Sequence, residues 1–134
     1  DETVFWLAYL GGLLPVKPKE DPFVIMGLIN LDGQDGDGRA EALRALLSDP
    51  RLQDPQPKST GGRLNADPDH RGDPALDTAD FDPPAGNLRV DYILPSSRLE
   101  VIDQGVFWPT DGPLAEAATA ASRHRLVWVD IALP

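Results

Sequence analysis

The carboxylates that could bind a cation are most concentrated in a glycine-rich stretch that follows an apolar run. Asp32, Asp35 and Asp37 lie there among glycines at positions 27, 33, 36 and 38, a composition typical of a turn-rich loop. Carboxylate oxygens are the ligands that hard cations such as Ca²⁺ prefer. The stretch therefore has two open interpretations, binding of an isolated divalent cation or a solvated turn.

An EF-hand calcium loop fits this stretch poorly. The first, third, fifth and twelfth places are filled by Asn30, Asp32, Gln34 and Glu41. The sixth place, which has to be glycine for the sharp turn, is Asp35. Because an apolar strand rather than a helix is predicted to enter the loop, the sequence disfavours an EF-hand.

A second candidate for metal binding is His70, which lies in the polar segment from Asp67 to Asp73. A single histidine in such a loop is more often exposed to solvent than bound to a metal.

The sequence has no phosphate-binding P-loop, no dinucleotide glycine fingerprint, no His-Glu-x-x-His and no Gly-x-Ser-x-Gly. The sequence therefore gives no motif that indicates nucleotide binding, zinc-peptidase chemistry or serine-hydrolase chemistry.

The composition narrows the class of protein further. The chain has 134 residues, with 22 Asp and Glu against 12 Lys and Arg, a net charge of -10, and no cysteine. This charge argues against a basic groove for nucleic acid, and the missing cysteines exclude disulfides and thiolate chemistry. The apolar stretches are too short for a transmembrane helix, so no membrane association is expected. The start, Asp1-Glu2-Thr3, lacks an initiator methionine and predicts a mature form or a fragment.

Hydrophobic periodicity predicts a single domain over residues 1–134 in which helices and strands alternate. Helices are predicted over 3–14, 39–48 and 114–121, and strands over 23–27, 88–94, 99–108 and 125–133. This order predicts an α/β (α+β) layered sandwich with a mixed β-sheet. Residues 49–89 are rich in Pro, Gly and Asp and are predicted to form a long irregular loop.

Three stretches carry a resemblance to a known family. The strand RVDYIL, Arg89 to Leu94, resembles a strand of the endonuclease/exonuclease/phosphatase superfamily, the metal-dependent phosphoesterases related to deoxyribonuclease I. Residues 24–30 stand where that superfamily has an apolar strand ending in G-D-x-N, and residues 121–127 stand where it has S-D-H before its last strand. The resemblance implies the C-terminal half of a four-layer sandwich about twice as long as this chain.

The resemblance also implies three site residues and two departures from the family pattern. Asn30 corresponds to the Asn that holds the phosphate or the water, Asp91 to the Asp that orients an imidazole, and His124 to that imidazole. Leu28 replaces the Asp that activates water, and Arg123 replaces an Asp that usually binds metal. Arg123 is a candidate phosphate ligand because a guanidinium offers bidentate geometry, although a solvated Arg is an equal alternative. Without the resemblance, Asp91 and His124 are interpreted as a buried pair that joins two strands.

The function implied by the resemblance is a metal-dependent phosphoesterase, a nuclease or phosphatase, that uses Mg²⁺ or Mn²⁺ and is incomplete or weakened in this chain. The alternative is a non-catalytic family member or fragment that acts as a binding or interaction module. A phosphoester, including nucleic acid, is the expected substrate class. A half-sandwich leaves one sheet face bare, which predicts a homodimer or a partner that supplies the N-terminal half. The residues predicted to form the bare face are Val24, Met26, Val90, Tyr92, Val127 and Val129.

Overall fold

The computed structural model describes residues 2–18, 20 and 22–133, which fold into helices and short antiparallel sheets. The α-helices are α1 (Glu2–Leu10), α2 (Glu41–Leu47), α3 (Thr60–Leu64) and α4 (Gly112–Ala121). The strands are β1 (Val24–Leu28), β2 (Ala79–Asp80), β3 (Asn87–Leu88), β4 (Asp91–Pro95), β5 (Glu100–Phe107) and β6 (Leu126–Ala132). The predicted α/β class is confirmed. Among the described residues, the strands form three antiparallel pairs, β1–β4, β2–β3 and β5–β6, where we predicted one mixed sheet.

The main core lies between α1, α2 and the β1–β4 pair. Leu43 and Leu46 stand on one face of α2 and are completely buried against Leu94 of β4 and Ile25 of β1. Burying a leucine stabilises the fold by roughly 2 kcal/mol, so this face fixes α2 on the sheet. The core therefore holds β1 and β4 together; β4 begins at the predicted site residue Asp91, and β1 ends two residues before Asn30.

The β1–β4 register corrects the predicted bare face. Met26 pairs with Ile93 and Gly27 pairs with Tyr92, so Met26 and Tyr92 lie on opposite faces of the sheet. Tyr92 and Val90 are 3% and 2% exposed, whereas Met26 is 66% exposed. The prediction that Val90 and Tyr92 lie on the bare face is therefore wrong. A shift of one residue in the alternation reverses the face of every side chain in a strand.

Helix α1 is shorter than the helix predicted over residues 3–14. It ends at Leu10 and is followed by two glycines, of which Gly12 has a φ of 67°, a left-handed conformation that favours glycine after a helix. Thr3 and Leu10 are buried, but Val4 and Phe5 are about half exposed, at 50% and 52%. The helix therefore covers the core with one side only.

Residues 49–89 contain more regular structure than the predicted irregular loop. Helix α3 begins after Ser59, whose hydroxyl accepts a hydrogen bond from the amide of Gly62 at 2.9 Å. A 3-10 helix at Pro74–Leu76 is capped in the same way by Asp73. Side-chain caps of this kind are set by local sequence, but they leave no hydrophobic periodicity to detect. The segment thus places β2 and β3 beside β4.

The antiparallel pair β5–β6, whose strands are linked through α4, completes the described fold. Its register is continuous apart from a bulge between Val101 and Asp103, and Phe107 lies opposite Leu126. At the start of β6 the buried guanidinium of Arg125 lies over the Trp108 ring, 4.7 Å from its centroid. Helix α4 has no buried residue among those described. Within the described ranges, no helix has the length and apolar content needed to cross a membrane.

Candidate functional site

The structure brings Asp91 and His124 together at the end of the sheet. Asp91 is the first residue of β4, and His124 lies in the short link between α4 and β6. The distance from Nδ1 of His124 to Oδ2 of Asp91 is 2.9 Å, and the two side chains are 31% and 20% exposed. Because Nδ1 is occupied by this contact, Nε2 is the ring nitrogen available to a ligand.

The backbone explains why these residues meet although they are 33 positions apart. Strand β2 pairs with β3 on one side, and on the other Ala79 forms an isolated antiparallel bridge with His124. The amide of Arg125 donates to the carbonyl of Thr78 at 2.7 Å, and the amide of Asp80 donates to the carbonyl of Arg123 at 3.0 Å. Thr78 and the two residues of β2 therefore hold the histidine segment beside the start of β4.

Thr78 is a site residue that the sequence reasoning missed. It is completely buried, and its hydroxyl donates to Oδ2 of Asp91 at 2.8 Å while accepting from the amides of Val90 and Asp91 at 3.0 Å each. Asp91 is thus fixed by a hydroxyl on one side and by the imidazole on the other. A threonine in a loop rich in Pro and Asp gives no pattern from which this contact could be predicted.

The ring of His124 has a second support. Phe81, directly after β2, meets it edge to face, with the ring centroids 5.4 Å apart and an interplanar angle of 82°. The imidazole is therefore restrained by Asp91 through a hydrogen bond and by Phe81 through packing.

Asn30 lies at the same end of the sheet. It follows β1 with a φ of 56°, and its amide donates to the carbonyl of Val90 at 3.3 Å, one residue before Asp91. Asparagine is among the residues that adopt this left-handed conformation most readily. Its side chain is exposed. The backbone of Asn30 thus lies beside the residue that precedes β4.

The two departures from the family pattern lie at this same place. Leu28 pairs directly with Asp91 across the β1–β4 sheet and is 45% exposed. The guanidinium of Arg123 pairs with Asp82, and both side chains are largely exposed, at 56% and 78%. An exposed ion pair contributes little to stability, so Arg123 remains free to exchange Asp82 for another anion.

The acidic loop uses its carboxylates to hold the backbone. The buried carboxylate of Asp32 accepts from the amides of Gln34, Asp35 and Arg89, at distances of 2.7, 3.0 and 2.7 Å. Asp35 accepts from the amides of Arg71 and Gly72 at 2.6 and 2.9 Å. Since these oxygens already bind N–H groups, the loop is explained as a structural turn tied to β4.

The described residues do not fit a metal ion on their own. No group of three His, Asp or Glu side chains within ranges 2–18, 20 and 22–133 is arranged to hold one. His70 is 3.9 Å from Asp67 through Nδ1, and this nitrogen is buried without a hydrogen bond. Leu28 and Arg123, which the motif resemblance aligns with two family carboxylates, supply no anionic oxygen of their own.

An imidazole oriented by a carboxylate can bind an anion such as a phosphate ester through its free ring nitrogen. The model of the Endonuclease/Exonuclease/phosphatase family matches residues 1–124, and the chain belongs to this family. The family consists of phosphoesterase-type hydrolases and is generally metal-dependent. The match is not specific for a C-terminal half. No curated protein and no solved structure matched the chain.

Proposed function

We propose that this chain carries a phosphoester-binding centre of the family's hydrolytic type, with turnover weak or absent in the chain alone. The observation that supports it is the imidazole of His124, held 2.9 Å from Asp91, which is itself fixed by the buried hydroxyl of Thr78. A ring that is already oriented loses little entropy when its Nε2 binds a phosphate oxygen. Asn30 and Arg123 are the further groups that we propose to contact the phosphate.

Hydrolysis requires more than phosphate binding, and Leu28 removes one part of the machinery. An attacking water has to lose a proton to a nearby base, and a leucine side chain accepts none. We propose that binding of Mg²⁺ or Mn²⁺ to this chain would need ligands other than the described side chains, because these do not form a metal site. The residues of this chain then bind and orient the phosphate.

A non-catalytic binding module is the second candidate, and a specific observation favours it. Leu28 lies directly opposite Asp91, at the place where the family pattern has its water-activating carboxylate. The chain then retains phosphoester recognition without catalysis. Incubation with bis(p-nitrophenyl) phosphate and Mg²⁺ or Mn²⁺ separates the two, since release of p-nitrophenol above the buffer rate supports the enzyme and its absence supports the module.

The binding centre itself is tested by titrating the chain with inorganic phosphate and following the ³¹P line width. We expect His124→Ala to weaken binding about tenfold, the effect of losing one hydrogen bond to a charged group. His70→Ala is the matched control, because it removes the other histidine and is expected to leave binding unchanged. Equal losses in both variants would contradict the proposal.

A second pair of variants tests whether Thr78 positions the site. Thr78→Val deletes the hydroxyl that binds Asp91, whereas Thr78→Ser keeps it. We expect phosphate binding to be weakened in the valine variant and close to wild type in the serine variant. Equal binding by both variants would assign Thr78 a role in stability alone.

We further propose that the outer face of the β1–β4 pair binds a second copy or a partner chain. Met26 and Leu28 are 66% and 45% exposed on that face, and Phe107 and Leu126 lie opposite each other on the β5–β6 pair at 44% and 66%. Exposed apolar side chains on a sheet favour association. We expect light scattering to report a dimer, which Met26→Lys shifts towards the monomer. A monomer at all concentrations would contradict self-association.

A further inference from the structure

Behind the candidate site lies a polar cleft that the proposed function does not use. Tyr92, on the face of β4 opposite Asp91, forms part of its wall together with Asp32, Asp77 and Arg89. The cavity volume is about 310 Å³, enough for a small organic molecule. The guanidinium of Arg89 is held in this wall by two contacts. It forms two hydrogen bonds with Asp54, and it lies 4.6 Å from the centroid of the Tyr92 ring.

The charge of this cleft is negative. Its lining includes five aspartates, at positions 32, 35, 54, 73 and 77, against two arginines at positions 44 and 89. Four of the five carboxylates have partners. Asp32 and Asp35 accept backbone amides, Asp54 pairs with Arg89, and Asp73 pairs with Lys58 at 2.7 Å.

The fifth carboxyl group, that of Asp77, forms no side-chain hydrogen bond within the part of the chain that the structure describes. The residue is only 6% exposed, yet it lines the cleft. Its carboxylate oxygens are not among the fully enclosed atoms that have no partner, so they are open to the cleft, where water or a ligand can bind them. Asp77 is therefore an acceptor that faces the cleft without a donor.

Burial raises the pKa of Asp77 to about 7, and the charges of Asp32, Asp35 and Asp67 act in the same direction. The interaction with His70 lowers the pKa of Asp77. The ionised form of Asp77 is therefore unfavourable without a partner, and a positive group beside its carboxylate would stabilise it.

We propose that this cleft binds a small organic cation whose ammonium or guanidinium group donates hydrogen bonds to the carboxylate of Asp77. A metal ion fits less well, because no three carboxylates or imidazoles among the described residues converge as metal ligands. An organic cation needs only one carboxylate as its anchor and fills the remaining volume with its carbon chain.

The wild-type chain is tested first, by calorimetric titration with 1,4-diaminobutane at pH 6 and pH 8. With a pKa of about 7, roughly one tenth of Asp77 is ionised at pH 6 and nine tenths at pH 8, so we expect about tenfold tighter binding at pH 8. The neutral analogue 1,4-butanediol has the same length and is expected to bind at least tenfold more weakly. Binding that is independent of pH, equal binding of the two probes, or no binding of either overturns the proposal.

A pair of variants assigns the effect to one carboxylate. Asp77→Asn is expected to weaken diaminobutane binding at pH 8 by tenfold or more and to abolish its pH dependence. Asp37→Asn makes the same change in net charge at an exposed position that does not line the cleft, and it is expected to bind like wild type. Equal weakening in the two variants would reduce the effect to general charge attraction and reject the site. If Asp77→Asn does not fold, the pH dependence of the wild-type chain still decides.

Discussion

The replacement Leu28→Asp is expected to raise the rate of bis(p-nitrophenyl) phosphate hydrolysis about 10²-fold in the presence of Mn²⁺. Leu28 pairs with Asp91 across the sheet, so a carboxylate at this position lies on the same face as Asp91 and close to His124. Two neighbouring carboxylates hold a proton more tightly than one, which makes the pair a better base. Proton removal from water by a positioned base contributes about 10²-fold or more to a rate.

The matched control for this gain is Met26→Asp. Met26 lies two residues earlier on the same face of β1 and is also exposed, but it pairs with Ile93 rather than with Asp91. Its replacement adds the same charge without placing it beside the imidazole, so we expect no increase in rate. A gain of similar size in both variants, or in neither, would contradict the assignment of Leu28 to the place of the missing base. Release of p-nitrophenol is the measurement.

The largest loss of stability is expected from Asp54→Ala. Asp54 forms two hydrogen bonds with the guanidinium of Arg89, and the two side chains are only 12% and 11% exposed. Removing the carboxylate leaves a buried positive charge without a partner, which costs about 3 to 5 kcal/mol. The effect is large because the second guanidinium contact, with the ring of Tyr92, does not replace the lost charge. For a chain of this length, we expect Tm to fall by about 10 to 18 °C.

Glu41→Ala provides the comparison for a surface pair. Glu41 lies 3.9 Å from Arg44 on α2, and the two side chains are 76% and 58% exposed. Such a pair is screened by solvent, and its loss is expected to change the free energy of unfolding by less than about 0.5 kcal/mol. Urea denaturation of the two variants measures the difference. A loss below about 1 kcal/mol in Asp54→Ala would show that Arg89 is solvated in the folded chain.

The sequence predicted the elements of the fold better than their pairing. The apolar runs that contain β1, β4, β5 and β6 were found because continuous hydrophobic residues indicate strands. The assignment of Tyr92 to the same face as Met26 failed because periodicity along one strand does not fix its register with another. The partner of each strand depends on tertiary packing, in this case on the buried leucines of α2.

The site residues differ in the same way: some lie in motifs that are visible in the sequence, and others act through contacts with distant residues. The motifs around Asp91 and His124 were visible in the sequence, and the structure places the two side chains 2.9 Å apart. Thr78 was missed because its role depends on a contact with Asp91 that no local pattern records. The use of Asp32 and Asp35 as acceptors for backbone amides was also hidden, since a carboxylate that binds a cation and one that holds a turn have the same composition around them.

The two-residue strand β2 makes the orientation of His124 depend on very little structure. Ala79 bridges the histidine segment, and Thr78 binds both Asp91 and the amide of Arg125, whereas the leucines of α2 pack elsewhere. Local opening of so short a strand requires less free energy than unfolding of the whole chain. The imidazole can therefore lose its orientation through local opening, without unfolding of the whole chain. A bound phosphate would then slow hydrogen exchange at the amides of Asp91 and Arg125 and leave the amides of α2 unaffected.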